Sequence, residues 1–353
     1  MQSAENIKKS STPFVSVIIV NYNNKNYLIN CLKSVFESNY PHFEVVLVDN
    51  ASFDGSIKDV EKNFAYQASL KIIRNSQNVG FASGNNIGIL YSKGEYLVFL
   101  NNDTEVDKNW LSELVRAFES DDVGAVQCKL LYLHDKEHFD SAGCFIDFLG
   151  FPLIRGLNEK DNGQYDLIDE IFYGKGAALA ARRSLLDEIG CFDDDYFLYF
   201  EETDLCWRMH LKNLKVVYAP ESIVFHAGEA SISKKSVQKS LLPNYHKHKN
   251  HITTLIKNYE LQNLVKYLPV MLFVKTLTDF LYFRSDNFVR IRAILYNLKN
   301  VKKIYKKRLE VQKFRRTNDA SIFKQKIIKP FDLKNINQQN QLLIPHSSHK
   351  TEI

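Results

Sequence analysis

Short runs of β-branched and aromatic residues alternate with helix-period segments over residues 15–130, the pattern of a mainly parallel sheet with helices on both faces. The strands read as VSVIIV at 15–20, FEVVLV at 43–48, KIIR at 71–74, YLVFL at 96–100 and VGAVQCKL at 123–130. Between them, Tyr27, Leu28, Cys31, Leu32, Val35 and Phe36 mark one helix face, and Trp110, Leu111, Leu114, Val115 and Phe118 mark another. Both stripes are core. Ligands of open α/β sheets lie at the carboxyl ends of the strands, which singles out Asn21 to Asn23, Asp49 to Asp54, Asn75 to Asn86 and Asn101 to Glu105. All four stretches are polar.

Beyond residue 130 the order is less regular. FYGKGAALAAR at 172–182 predicts a strand, Ser184 to Ile189 a short helix opened by a Ser cap, and Glu201 to Lys212 a helix with acids in its first turn. LKVVYA at 214–219 and SIVFHA at 222–227 read as two more strands. From about residue 245 the pattern is helical, with Leu255, Tyr259, Leu264, Leu268 and Leu272 interleaved with Lys and Arg. Residues 317–353 are polar and weakly periodic, the signature of a loosely packed tail. The run after Lys8 and Lys9 is too short for a secretory signal and lacks a cleavage site. YLPVMLFV at 267–274 falls far short of the roughly 20 residues that span a bilayer.

Composition narrows the class. The 353 residues suggest two or three domains, and 45% apolar with 25% charged residues excludes a wholly disordered, collagen-like or coiled-coil chain. Five cysteines without CxxC spacing argue against a disulfide framework or a thiolate zinc site and point to a reducing compartment. The net charge of +5 hides an uneven division: residues 231–316 carry 20 Lys and Arg against four acids, leaving an acidic body at 1–230. Such a basic extension predicts an anionic partner, with nucleic acid and a membrane surface the candidates. The expected organisation is a catalytic unit at 12–230, a basic amphipathic helical region at 231–316 and a tail at 317–353.

The chemistry-bearing residues gather at the expected strand ends. Asp103, in NNDTE at 101–105, offers a hard oxygen to Mg²⁺ or Mn²⁺, and the Asn101 amide can accept from a sugar hydroxyl. A turn would use the same residue types. Asn101 cannot form an aspartyl phosphate, which weakens a phosphatase of the haloacid-dehalogenase type. Asp49 can accept hydrogen bonds from a base or ribose, and NSQNVGFASGNN at 75–86 has the small residues and amides of a backbone that closely approaches a ligand. Neither GxGxxG nor GxxxxGK[ST] is present, so dinucleotide oxidoreductases and P-loop nucleotidases lack their fingerprints. FLYFEETDLCWR at 197–208 brings Glu201, Glu202 and Asp204 behind an aromatic run, where crowding and burial can raise a carboxylate towards the range of a general base. His226 ends a strand and can serve as a metal or phosphate ligand.

VSVIIVNYN, VLVDNASFDGS, NVGFASGNN, LVFLNNDTEV, GKGAALAARRSLLDEIGCFD, YFEETDLCWR and VFHAGEAS occur in this order over about residues 14–232. The chain thereby resembles family 2 glycosyltransferases of the rhamnosyltransferase-like branch. That resemblance implies a GT-A fold, a mainly parallel Rossmann-like sheet flanked by helices, followed by a basic helical extension. It also implies Mg²⁺ or Mn²⁺, a nucleoside-diphosphate sugar donor such as dTDP-rhamnose or a UDP-sugar, and inversion at the anomeric carbon. By position it assigns Asp49 to the base, Asn101 and Asp103 to the DxD site, His226 to the metal and diphosphate, and Glu202 to the general base. Asn21, Asn78 and Gly80 join the expected donor contacts; Gly176, Glu201, Asp204 and Arg208 are the expected acceptor contacts. Two departures stand out: Asn101 replaces a common Asp, and Glu202 replaces an Asp, which leaves Glu201 and Asp204 as alternative bases. HKNHITTLIKNY resembles the basic helix that follows the catalytic unit in this family, whose acceptors are commonly lipid-linked. The implied partners are a glycan or polyprenyl-linked acceptor and the inner face of the cytoplasmic membrane, in bacterial surface polysaccharide synthesis, rather than nucleic acid. The alternatives are a phosphoryl or nucleotidyl transferase on a similar sheet, and a non-catalytic protein that binds sugar nucleotides or membranes.

Overall fold

The structure, a computed structural model, describes residues 12–228, 241–281, 287–325 and 328–330. Its first third is a run of strand–helix units: β1 (Val15–Asn21), α1 (Lys25–Phe36), β2 (Phe43–Asp49), α2 (Ser56–Asn63), β3 (Leu70–Arg74), α3 (Gly80–Tyr91) and β4 (Tyr96–Asn101). Next come β5 (Thr104–Val106), α4 (Trp110–Arg116), β6 (Val123–Tyr132), β7 (Asp135–Ser141), β8 (Cys144–Asp147), β9 (Pro152–Ile154), β10 (Asp169–Ile171) and β11 (Ala178–Arg182). α5 (Arg183–Ile189), α6 (Glu201–Leu211) and β12 (Lys215–His226) close the catalytic unit. The extension holds α7 (Leu241–Asn258), α8 (Leu261–Leu281), α9 (Asn287–Lys299), α10 (Val301–Lys313), α11 (Asp319–Lys324) and β13 (Ile328–Lys329).

Ten strands form one sheet in the order β10-β12-β6-β11-β4-β1-β2-β3, with β5 on β12 and β7 on β6. The β4-β1-β2-β3 side is parallel, as expected, because each strand returns through a helix. The other side is not: β11 lies antiparallel between β4 and β6, so the sheet is mixed rather than mainly parallel. Along β1 and β2 alternate residues enter opposite cores, Ile18, Val46 and Val48 on one face and Val17, Ile19, Val45 and Leu47 on the other. That double burial explains why these strands read as unbroken apolar runs.

Several local expectations change. Only Ala178–Arg182 of the segment 172–182 is a strand, because the Lys175 N–H is claimed by the Gln127 side chain at 2.9 Å instead of a ladder partner. α5 begins at Arg183 with Arg182 in the capping position, not Ser184. The two strands read at 214–227 are one, β12, whose register shifts against β6 between Ala219 and Ile223. The five cysteines are free.

The extension packs on the unit that precedes it. Leu255, Tyr259, Met271, Val311, Ile322 and Ile328 of the extension share one core with Phe139, Phe172 and Trp207 of the catalytic unit. Residues 317–330 are not loose where described: Asp319 is fully buried, accepting from the Glu260 and Asn263 nitrogens, and β13 adds in parallel to β8. Residues 331–353 of the expected tail and 229–231 of the last motif lie outside the described residues. No described helix is long and apolar enough to cross a membrane.

Candidate active site

Register brings the polar strand ends together. Asn21 is level with Asp49, Asp49 with Arg74, and Asn101 with Val20, so β1, β2 and β4 deliver their last residues to one edge. Asp49 is nearly buried and accepts from the Ser52 N–H, which bends the following segment back over the edge. Asn78 accepts from the Gly80 N–H at 2.9 Å and shapes the entry into α3. Gly80 itself has φ +85°, and a Cβ there would lie 2.5 Å from the Phe197 carbonyl and ring. Its lack of a side chain lets the 75–80 loop touch the loop that leads to the acids. Asn21 departs from its expected role in donor contact. It is fully enclosed, giving its amide to Ser52 and Ser56 at 3.0 Å and accepting from Asn102 at 2.7 Å, so it builds the floor of the cleft.

Pairing of β12 with β5 sets His226 opposite Thr104 and therefore beside Asp103. His226 Nε2 lies 3.4 Å from Asp103 Oδ1 and 3.4 Å from the Asn101 amide, while Nδ1 lies 2.8 Å from Asp140. Asp140 also accepts from Lys175 at 2.6 Å. Burial alone would push His226 down, but the Asp140 and Asp103 carboxylates outweigh it and raise it to about 9. Burial likewise opposes charge on Asp140, and Lys175 and His226 overcome it, holding the carboxyl well below its usual range. Asp140 and Lys175 were not singled out from the sequence as site residues. Asp140 is separated from His226 by 86 positions, and nothing in its own segment marks it.

The donor set suits a divalent ion. Asp103 supplies a hard carboxylate and His226 an imidazole whose far nitrogen is oriented by Asp140, the second-sphere arrangement common to metal-bound histidines. No three His, Cys, Asp or Glu residues among those described are grouped to hold a metal by themselves. Mg²⁺ is commonly bound by one or two protein carboxylates together with substrate phosphates, and Asp103 would supply the carboxylate of such a set.

Across the cleft, α6 presents the acids. The loop before it is strained: Phe197, Tyr199 and Phe200 have φ of 62°, 68° and 71°, each costing about 1–2 kcal/mol for a residue with a Cβ. Glu201 is buried and Glu202 partly so, and Oε2 of each is buried without a hydrogen-bond partner among the described residues. Burial, then the charge of Glu202, pushes Glu201 well up. Burial also raises Glu202, but less, because the backbone N–H groups of Glu202 and Gly176 and the charge of Lys175 oppose it, so Glu202 gives up its proton before Glu201. Glu202 Oε1 is 3.6 Å from where a Cβ on Gly176 would stand, so a side chain there would crowd the carboxylate.

Asp204 and Arg208, expected at the acceptor, are instead structural. Asp204 is fully buried and accepts from Arg208 at 3.1 Å, Lys257 at 2.9 Å and Asn258 at 2.9 Å. Arg208 gives three more hydrogens to the carbonyls of Ile189, Gly190 and Cys191, all at 2.7 Å. With its four neighbours supplied from α6, α7 and Tyr196, Asp204 is removed as an alternative base.

A mixed sheet with polar strand ends on one side of a cleft and an acid pair on the other defines a GT-A protein, and solved structures agree. A mannosyltransferase from Pyrobaculum calidifontis, solved with GDP-Man and Mn²⁺, aligns with TM-score 0.53 at 18% identity, covering 83% of this chain and 76% of that one. GalNAc-T7, solved with UDP, GalNAc and Mn²⁺, aligns with TM-score 0.58 at 18% identity over 72% of this chain and 49% of that one. The sequence model of Glycosyl transferase family 2 matches residues 16–190, and through this domain the chain belongs to that family. The O-antigen biosynthesis protein RfbC of Myxococcus xanthus is 29% identical over 226 residues, 62% of this chain but only 18% of that protein. This chain therefore spans less than a fifth of that relative's length.

Proposed function

We propose that the protein transfers a sugar from a nucleoside-diphosphate donor to an acceptor hydroxyl with inversion, using Glu202 as general base. The carrying observation is the Glu202 carboxylate: it faces Gly176 and has one buried oxygen without a hydrogen-bond partner among the described residues. An acceptor hydroxyl would supply that partner and lose its proton to it as the sugar is attacked. Lys175 ties this half of the site to the other, since its ammonium bonds Asp140, which orients His226, while the adjoining Gly176 faces Glu202. A divalent ion on Asp103 and His226, when bound, would neutralise charge on the departing diphosphate. Asp49, Asn78 and Asn101 line the donor side. Attack opposite the leaving group in a single displacement gives inversion and needs no covalent intermediate.

The nucleotides and Mn²⁺ bound by the two structural neighbours support this class of donor, and the O-antigen relative supports a role in surface polysaccharide synthesis. Glu202→Gln is expected to lower turnover about 10²–10⁴-fold while keeping metal-dependent nucleotide affinity. Release of nucleoside diphosphate from a panel of UDP-, GDP- and dTDP-sugars with Mn²⁺ measures it, and near-normal turnover in the variant would overturn the assignment. Release of pyrophosphate instead would favour the nucleotidyl-transfer alternative.

The same reading places α8 and α9 on a membrane, at the inner face where a polyprenyl-linked acceptor would lie. Phe288, Ile291, Leu295 and Leu298 recur at helical spacing on α9 and are exposed, as are Leu261, Val265 and Phe273 on α8. Lys266 of α8, Arg292 and Lys299 of α9, and Lys302 and Lys306 of α10 are exposed as well. Apolar residues flanked by cations suit the headgroup region of an anionic bilayer.

A further inference from the structure

The loop that leads into the acid pair makes one hydrogen bond within itself, from the Leu198 N–H to the Tyr196 carbonyl at 2.6 Å. Residues 196–200 contain three non-glycine residues at left-handed φ, and Phe197 combines φ 62° with ψ −55°. Most of the loop's carbonyls are held from outside it. Phe81 of α3 donates its N–H to the Phe197 carbonyl at 2.7 Å, and Lys249 donates its ammonium to that of Asp195. The carbonyls of Tyr196, Leu198 and Tyr199 all converge on one group, the Asn250 amide of α7, at 2.9, 2.9 and 2.7 Å. Asn250 is fully buried, and three carbonyls around one nitrogen settle which end of the side chain is the amide. Two rings of the same helix complete the support, His246 stacked on Phe197 and His251 on Phe200, with centroids 5.0 Å apart in each pair.

We propose that Asn250 is a positioning residue for the acid pair: its amide holds the strained 196–200 loop in the shape that presents Glu202 to the cleft. The inference rests on the reading of Glu202 as the base. It makes α7 part of the active site's framework, although the helix contributes no group to the reaction. Without the amide, the Leu198 and Tyr199 carbonyls lose this donor while that of Tyr196 keeps only the Leu198 N–H at 2.6 Å, and the left-handed residues relax towards ordinary φ, turning the start of α6 away from Gly176.

The test uses the full chain, with UDP and Mn²⁺ as the probe of donor affinity. Turnover is read as nucleoside diphosphate released from whichever sugar nucleotide of the UDP-, GDP- and dTDP- panel the wild type cleaves fastest. Asn250→Ala should lose tenfold or more in turnover, keep UDP affinity within about twofold, and expose the 195–205 amides to faster hydrogen exchange. Thr253→Ala, equally buried on α7 but bonded to Asn297 of α9, should change none of these. Adding Tyr199→Gly to Asn250→Ala should restore part of the turnover, because glycine takes the left-handed shape without the Cβ clash; a merely space-filling Asn250 would show no such rescue. If the alanine variant does not fold, Asn250→Ser, which keeps one donor, should give an intermediate loss. Wild-type turnover and exchange in the Asn250 variants overturn the proposal. Loss in Glu202→Gln without loss in Asn250→Ala rejects the positioning role alone, whereas full turnover in Glu202→Gln rejects the base assignment beneath it.

Discussion

Two networks of acids and cations, one at the strand ends and one between catalytic unit and extension, are built for different ends. In the cleft, Asp103, His226, Asp140 and Lys175 form a chain in which one member, His226, can shed its charge and another, Lys175, reaches solvent. Between catalytic unit and extension, Asp193, Asp195 and Asp204 are met by Lys257, Lys303, Lys307 and Arg208. Lys257 alone bridges Asp193 at 2.7 Å and Asp204 at 2.9 Å while almost wholly buried. The first network can exchange a proton for a ligand, and the second only locks. The charge division along the chain has its explanation here, since part of the basic extension's charge is spent on the acids of residues 193–204 rather than on an outside partner.

The largest expected contrast is in stability. Asp204→Ala removes the buried carboxylate that Lys257 and Arg208 share and should cost about 3–5 kcal/mol in denaturant unfolding, whereas Asp140→Ala should cost clearly less because His226 can become neutral. Equal losses would erase the distinction. Asp103→Asn should reverse the pattern, leaving unfolding nearly unchanged while metal-dependent UDP affinity, followed by titration with Mn²⁺, falls tenfold or more.

Acid and alkali should separate the networks in metal-free protein. Asp193 and Asp204 are held below their usual range by Lys257 and by Lys307 and Arg208, respectively, against the cost of burial. Their contribution is therefore present above about pH 4, the unfolded carboxylate value, and is lost as pH falls below it. His226, raised to about 9, contributes below its unfolded value near 6.5 and loses that contribution as pH rises through 9. Melting temperature against pH should thus fall on both sides, with His226→Asn flattening only the alkaline limb. The smallest effect concerns the surface. Phe288→Ser with Leu295→Ser should leave melting and turnover intact but reduce flotation with anionic vesicles, and unchanged flotation would take α9 off the membrane. Point changes serve better than truncation, because removing α7 would strip Leu255 and Tyr259 from the shared core.

How legible each region was follows from how local its determinants are. β1 to β4 and their helices were readable because a strand buried on both faces writes an unbroken apolar run, and a helix writes its stripe every three to four residues. The candidate residues Asp49, Asn101 and Asp103 followed from the rule that strand ends face the ligand. Asp204 and Arg208 were misread because an acid and an arginine four apart on a helix look the same whether they face a cleft or a buried Lys257. Asn21 fell to the same ambiguity, since a buried amide bonding two serines is indistinguishable in sequence from one awaiting a sugar.

By itself, the sequence determined the parallel half of the sheet, the family and the residues from which a donor and metal site can be made, because periodicity and motif spacing are properties of neighbours along the chain. Tertiary structure alone decided that β11 enters antiparallel and that His226 is sandwiched between Asp103 and Asp140. It also decided that burial raises Glu201 further than Glu202, and that a helix some fifty residues on holds the loop before them. Those outcomes depend on burial and on charges brought close from distant positions, and the energy of a buried group is set by what surrounds it in space.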